Sequence, residues 1–212
     1  MSNSAPRKRG RPRAFEDDEV FRIISDLLLN GTLSDVTLER VAKLAGATNQ
    51  AISQRFSSKS GMLVSYLTWI GDIARADVAA ICASADSPLQ RFRSVMTLPI
   101  NPRVLANPSP NPAENWMPIL LELDRDPELA RINDEGRKQF IGVVLGLIEE
   151  AQAAGELRAA DPRRILELVW AVLVGAITLA EWDDREDSLT KARRLMDSVL
   201  EVFTTKTQIS PA

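Results

Sequence analysis

The 212-residue chain contains no histidine, a single cysteine and a single tyrosine. Without an imidazole there is no Ser-His or Cys-His nucleophile and no histidine-based metal site. One cysteine, Cys82, excludes a disulfide framework within the chain and any paired-cysteine metal site, and it reads as a small buried hydrophobe. No HExxH, phosphate-binding loop or dinucleotide fingerprint occurs, and Glu149 and Glu150 sit on a helix of mixed polarity as solvated charges. Neither an enzyme, nor a metal site, nor a cofactor is expected. Long apolar runs are also missing. The longest stretch free of charge, Leu168 to Ala180, has thirteen residues, too short to span a bilayer. The N-terminus is basic but leads into Glu16-Asp17-Asp18-Glu19 rather than an apolar segment, which argues against a secretory leader and for a cytoplasmic protein.

Charge is present but unevenly placed. Residues 1–63 hold ten Lys and Arg against seven Asp and Glu, a net of +3, so residues 64–212 carry −6 of the total of −3. A polyanion would be met by the N-terminal end and repelled by the rest. The first 13 residues contain Arg7, Lys8, Arg9, Arg11 and Arg13 and no acid, with glycine and proline opposing independent folding, so 1–13 reads as a disordered basic arm. Within it Arg9-Gly10-Arg11-Pro12 resembles an AT-hook core, in which Arg9 and Arg11 would lie along a narrow minor groove; the alternative is nonspecific attraction to phosphate.

The segment from Val36 to Leu63, VTLERVAKLAGATNQAISQRFSSKSGML, holds the main signal. Thr37 is placed to cap a helix whose Leu38, Val41, Ala42 and Ala45 recur on one side. Gly46 supplies the positive φ of a tight turn, and Thr48 caps a second helix from Asn49 to about Arg55 with Ala51, Ile52 and Phe56 facing inward. That is a helix-turn-helix. Its outward face is Asn49, Gln50, Ser53 and Gln54, and Asn and Gln can bond adenine N6 and N7 bidentately. A solvated polar face would look the same, so the basic flank is what tips the reading toward double-stranded DNA.

These residues, together with a helix from Asp17 to Asn30, resemble the DNA-binding signature of the TetR (tetracycline repressor) family of bacterial regulators. The likeness covers roughly the first third of the chain; the remainder matches in layout only. It implies an all-α homodimer: an N-terminal three-helix domain with the helix-turn-helix (14–62), and a C-terminal helical domain (63–212) that binds a small-molecule effector and dimerises. It also implies that Thr37, Thr48 and Lys59 meet phosphate, as two helix N-termini and an ammonium can. Two positions depart from the family pattern. Ser53 stands where Tyr is common, putting that phosphate contact in doubt, and Gln50 stands where a small residue is common. Arg55 and the arm would make up the lost contact, and Gln50 would extend base readout.

Beyond Leu63 the periodicity continues toward Ala79, then a short helix runs from Pro88 to about Leu98. Six of the twelve prolines fall between Pro99 and Pro118, which forbids a long helix; the segment is either a solvated connection or a loop over an effector pocket. A long amphipathic helix is expected from Asp126 to about Ala154, ended by Gly155. Asp161-Pro162 opens the next, near 162–182, whose all-round apolar character calls for cover by a partner subunit. The last helix, 188–204, carries a seam of Leu189, Ala192, Met196, Val199 and Phe203, so 162–182 and 188–204 are the expected dimer helices. Candidate effector-lining residues are Trp69, Phe92, Met96, Trp116, Phe140, Trp170 and Trp182, each equally readable as core. Few polar groups accompany them, which suggests an apolar effector. By the resemblance the chain is a repressor released from a palindromic operator; the competing class is an architectural protein that coats DNA without an effector.

Overall fold

A computed structural model describes residues 15–98, 123–178 and 188–205. The described residues form helices α1 (Asp17–Leu29), α2 (Leu38–Leu44), α3 (Asn49–Phe56), α4 (Lys59–Cys82), α5 (Pro88–Met96), α6 (Pro127–Ala153), α7 (Pro162–Thr178) and α8 (Ser188–Glu201), with a 3-10 turn at Leu33–Asp35 and no strand longer than an isolated bridge. The expected all-α class is what the chain adopts.

Most helix starts have a local chemical cause. The side chains of Thr37, Thr48, Ser58, Ser87 and Asp126 each accept a hydrogen bond from a backbone amide of the first turn, satisfying donors the helix itself leaves free. Proline occupies the first position of α5, α6 and α7, where its missing N–H costs nothing. Gly46 and Gly155 follow α2 and α6 with φ of 63° and 73°, the left-handed conformation that closes a helix and that other residues adopt at a cost.

Some helix ends differ from expectation; α4, for one, runs past Ala79 to Cys82. Helix α5 stops at Met96, and the Thr97 hydroxyl donates to the Arg93 carbonyl at 2.8 Å, just before the Leu98-Pro99 step that disfavours helical geometry. Helix α8 stops at Glu201 rather than Thr204, because the chain finds other backbone partners. The Arg158 amide donates to the Phe203 carbonyl at 2.7 Å, the Thr205 amide donates to the Glu156 carbonyl at 3.2 Å, and Leu157 and Thr204 form an antiparallel bridge. The proline-rich 99–118 stretch, Trp116, Trp182, the end of the expected 162–182 helix and the arm with Arg9 and Arg11 lie outside the described residues.

Packing divides into two apolar clusters. The first joins α1, α2, α3 and the start of α4 through Val20, Ile24, Leu28, Val41, Ile52 and Phe56, and it also takes in Met62, Leu63, Tyr66 and Leu129. The core of the N-terminal unit thus extends beyond residue 62. The second joins α5, α6, α7 and α8 around Phe92, Val144, Ile148, Ile165, Val169 and Leu200. Helices α4 and α6 reach into both: α6 gives Leu129 to the first and Val144, Leu147, Ile148 and Ala151 to the second.

Tyr66, the only tyrosine, is 1% exposed and accepts a hydrogen bond from the Ser25 hydroxyl at 3.2 Å. Burial pushes its phenol from the usual 10 up to about 12, against the weaker opposing pull of Ser25. The folded chain therefore keeps a proton that the unfolded chain loses between these values. Stability is intact below pH ~10 and falls by about 2–3 kcal/mol as the pH rises to ~12. Denaturant titrations across that window should show the decline in the parent protein and a shallower one in Tyr66→Phe; equal slopes would refute the assignment.

Candidate nucleic-acid interface

The reading unit is assembled around α3. Thr37 Oγ1 accepts from the Arg40 amide at 3.1 Å and Thr48 Oγ1 from the Ala51 amide at 3.1 Å, so the two hydroxyls cap the two helices of the motif as their spacing predicts. Between them Gly46 takes its left-handed turn and the Ala47 amide donates to the Ala42 carbonyl at 2.9 Å. On α3, Ile52 is fully buried and Phe56 nearly so, while Ala51 is only half-buried. The opposite side presents Asn49, Gln50 and Gln54 to solvent, with Ser53 half-buried beside them. Four of the expected reading residues therefore share one face, and three of them are fully open. Thr37 and Thr48 are exposed at the N-termini of α2 and α3.

Arg55 has a different setting from the one its sequence position suggests. Its Nε donates to Asp17 Oδ1 at 3.0 Å, its second amino group pairs with Asp17 Oδ2, and its guanidinium lies 5.5 Å from the Phe56 ring centroid. This two-point grip raises the affinity of Arg55 for its proton, chiefly through the Asp17 hydrogen bond. Phe15 stacks on Phe56 at 6.5 Å between centroids, so the end of α3 is gripped on two sides by the residues that follow the basic arm. In sequence Asp17 is one of four consecutive acids at the start of α1. Nothing in local sequence could reveal the pair, since the partners are 38 residues apart.

Lys59, at the first position of α4, donates from Nζ to the Leu33 carbonyl at 2.6 Å. An ammonium has three donors, so this bond holds the side chain in place beside the motif while leaving capacity for an anion. The α3–α4 corner is tight. Ser57 has a φ of 66°, and a Cβ added to Gly61 would collide with the Phe56 carbonyl oxygen, so glycine is required there for close approach. Asp35 closes a capping box with Thr32 and also bonds Arg40, and its carboxyl is held below the usual range first by the Thr32 amide.

Of the residues proposed to line an effector pocket, five are described, and Trp69 stands apart from the other four. Trp69 joins the first cluster, with its ring 5.4 Å from Phe21 and 6.4 Å from Tyr66. Phe92 is fully buried in the second cluster, with Met96 at its margin. Phe140 and Trp170 do meet, 6.2 Å apart, in a groove of about 360 Å³ between α6 and α7 that is open to solvent. Helical spacing cannot separate these outcomes, because a large apolar side chain satisfies either cluster equally well. A second cleft, of about 390 Å³, lies between α5 and α8 and is more polar. None of the expected lining residues is in it. Among the described residues no group of three or more Cys, Asp or Glu is placed to hold a metal ion, and no helix is long and apolar enough to cross a membrane.

No protein-family model matches the sequence, and no curated protein does. The fold does have counterparts among solved structures. A transcriptional regulator from Saccharomonospora viridis, in complex with choline, superposes with a TM-score of 0.74 over 90% of this chain and 98% of its own, at 16% identity. A TetR transcription regulator from Haloarcula marismortui gives 0.68 over 89% and 97%, at 15% identity. One of the TetR family from Agrobacterium tumefaciens gives 0.66 over 89% and 97%, at 17% identity. The chain has the fold of TetR-family regulators across nearly its whole length.

Proposed function

We propose that the chain is a TetR-family, sequence-specific DNA-binding transcriptional regulator, acting in the cytoplasm as a homodimer that is released from a palindromic operator by a small molecule. The observation that carries this reading is the face of α3: Asn49, Gln50 and Gln54 stand open to solvent beside two capped helix N-termini, while Ile52 and Phe56 clamp the other side. Side-chain amides at that spacing match the donor and acceptor edges of the major groove. Thr37, Thr48 and Lys59 would take phosphates on either side. Arg55, committed to Asp17, sets the angle of α3 rather than reaching the backbone.

Dimerisation is supported by what a lone chain leaves uncovered. Leu168 and Trp170 on α7 are 42% and 45% exposed, and Val143 on α6 is 37% exposed, an apolar surface that a second copy would bury. A twofold pairing through 162–182 and 188–204 would set two α3 helices about 34–36 Å apart, one turn of duplex. Repression follows from the family likeness and from occupancy of an operator as the simplest consequence of binding.

Selection of bound duplexes from a random pool tests the reading. We expect an inverted repeat bound by a particle with the mass of two chains. An unordered set of AT-rich fragments coated at high density would favour the architectural alternative, and no enrichment at all would end the proposal.

A further inference from the structure

The cleft between α5 and α8 is built differently from the apolar groove at Trp170. Its apolar lining is Ile81, Leu98 and Met196, and its polar lining includes Arg93, Arg193, Thr97, Ser94 and Asp197. Arg93 Nε donates to Asp197 Oδ1 at 2.8 Å, which neutralises one cation, and its Nη1 donates to Gln90 Oε1 at 3.3 Å. Arg193 has no carboxylate within ion-pair distance among the described residues. Among those residues its hydrogen bond is a long one, from Nε to Thr97 Oγ1 at 3.5 Å, and that hydroxyl already donates to the Arg93 carbonyl. The cleft, which is open to solvent like the groove at Trp170, thus holds two guanidinium groups against one carboxylate beside apolar side chains, in a volume of the size small ligands occupy, roughly 300–1,000 Å³.

We propose that this cleft binds a small monocarboxylate with a hydrocarbon portion: the carboxylate on the planar fork of Arg193, with the Ser94 hydroxyl beside it, and the chain laid on Ile81 and Met196. The proposal deepens the regulator reading, on which its role as effector site rests, and it adds a carboxylate to the apolar character suggested by the sequence. Arginine is suited to the task because its fork matches a carboxylate in two parallel bonds. The site is also wired to the reading unit. Ile81 lies in the last turn of α4, and the adjoining Cys82 carbonyl accepts from Arg91 Nη1 at 2.9 Å, while Arg91 Nη2 pairs with Glu150 at 3.0 Å. A ligand that draws α5 and α8 together therefore presses on one end of α4, a helix about 36 Å long, whose other end carries Lys59 and its bond to Leu33. Ligand binding at one end selects among positions of the other.

The test is calorimetric titration of the full-length protein with sodium octanoate, 1-octanol and octyltrimethylammonium, repeated on Arg193→Gln, with duplex selection run on the same preparations. Octanoate should bind saturably and tighter than either analogue. Arg193→Gln should weaken octanoate by roughly tenfold or more, the size of a lost charge-assisted pair, with octanol unchanged and duplex binding intact in the absence of acid. Absence of saturable octanoate binding, equal affinity for octanol, or insensitivity to Arg193→Gln would overturn the site. The two readings fail separately. Selected operators without acid binding would leave a regulator lacking this site, whereas Arg193-dependent acid binding without duplex enrichment would leave the site and remove the regulator.

Discussion

Replacing Asn49, Gln50 and Gln54 together by alanine should abolish discrimination between the selected duplex and random DNA while hardly changing the slope of affinity against salt. The three side chains are exposed on one face of α3 and hold no packing role, so the fold should survive, and alanine favours the helix. Each bidentate base contact is worth roughly 1–3 kcal/mol of discrimination, so even with incomplete additivity the preference should drop by about two orders of magnitude or more. The charges and helix N-termini that release counterions remain, which is why the salt dependence persists. Gln50→Ala alone reports how much the departure at that position adds to readout. Arg55→Ala should leave the salt slope unchanged as well, since its guanidinium is held by Asp17; a slope reduced by about one charge would show that it meets phosphate after all. A triple variant that still prefers the selected site would remove α3 from the reading surface.

Phe56→Ala should be the most damaging single core substitution in the N-terminal unit. The ring is 6% exposed and lies against Phe15, Phe21 and the Arg55 guanidinium, so its loss vacates the junction where α1, α3 and α4 meet. Removal of a buried phenylalanine costs roughly 3–5 kcal/mol, a large share of the roughly 5–15 kcal/mol that holds a typical domain together. We expect duplex binding to be lost, with an early melting transition by calorimetry. Because the second cluster contains none of these residues, a later transition should remain. A single transition shifted only slightly would show that Phe56 is not central to that core.

The parts of this structure legible beforehand are those whose cause is local. Thr37, Thr48 and Asp161 cap helices because a short oxygen-bearing side chain stands one residue ahead of a periodic run; Gly46 and Gly155 close helices because they follow one. What stayed hidden depends on separation. Asp17 and Arg55 are 38 residues apart, and Arg93 and Asp197 are 104 apart, so no window of sequence contains either pair. Trp69 shows the same limit for apolar residues: its spacing on α4 is right for a helix, but only the fold decides that it turns toward Phe21 and Tyr66. The early end of α8 is a competition the periodicity could not register, since Phe203 remains buried while its backbone bonds to Arg158 instead of continuing the helix.

The division into two clusters has a mechanical corollary. On α4 the fully buried residues are Met62, Leu63 and Tyr66, all near its start, and on α6 none lies between Leu129 and Val144. Between those stretches both helices contribute partly buried side chains, such as Trp69 and Ile70 on α4 and Phe140 on α6, and Gly136 and Gly142 on α6 have open space around them. Bending there disturbs fewer fully buried side chains than bending at either end, so the tilt of one end against the other is the softer coordinate, cheaper to bias and more tolerant of drift in the side chains that surround it.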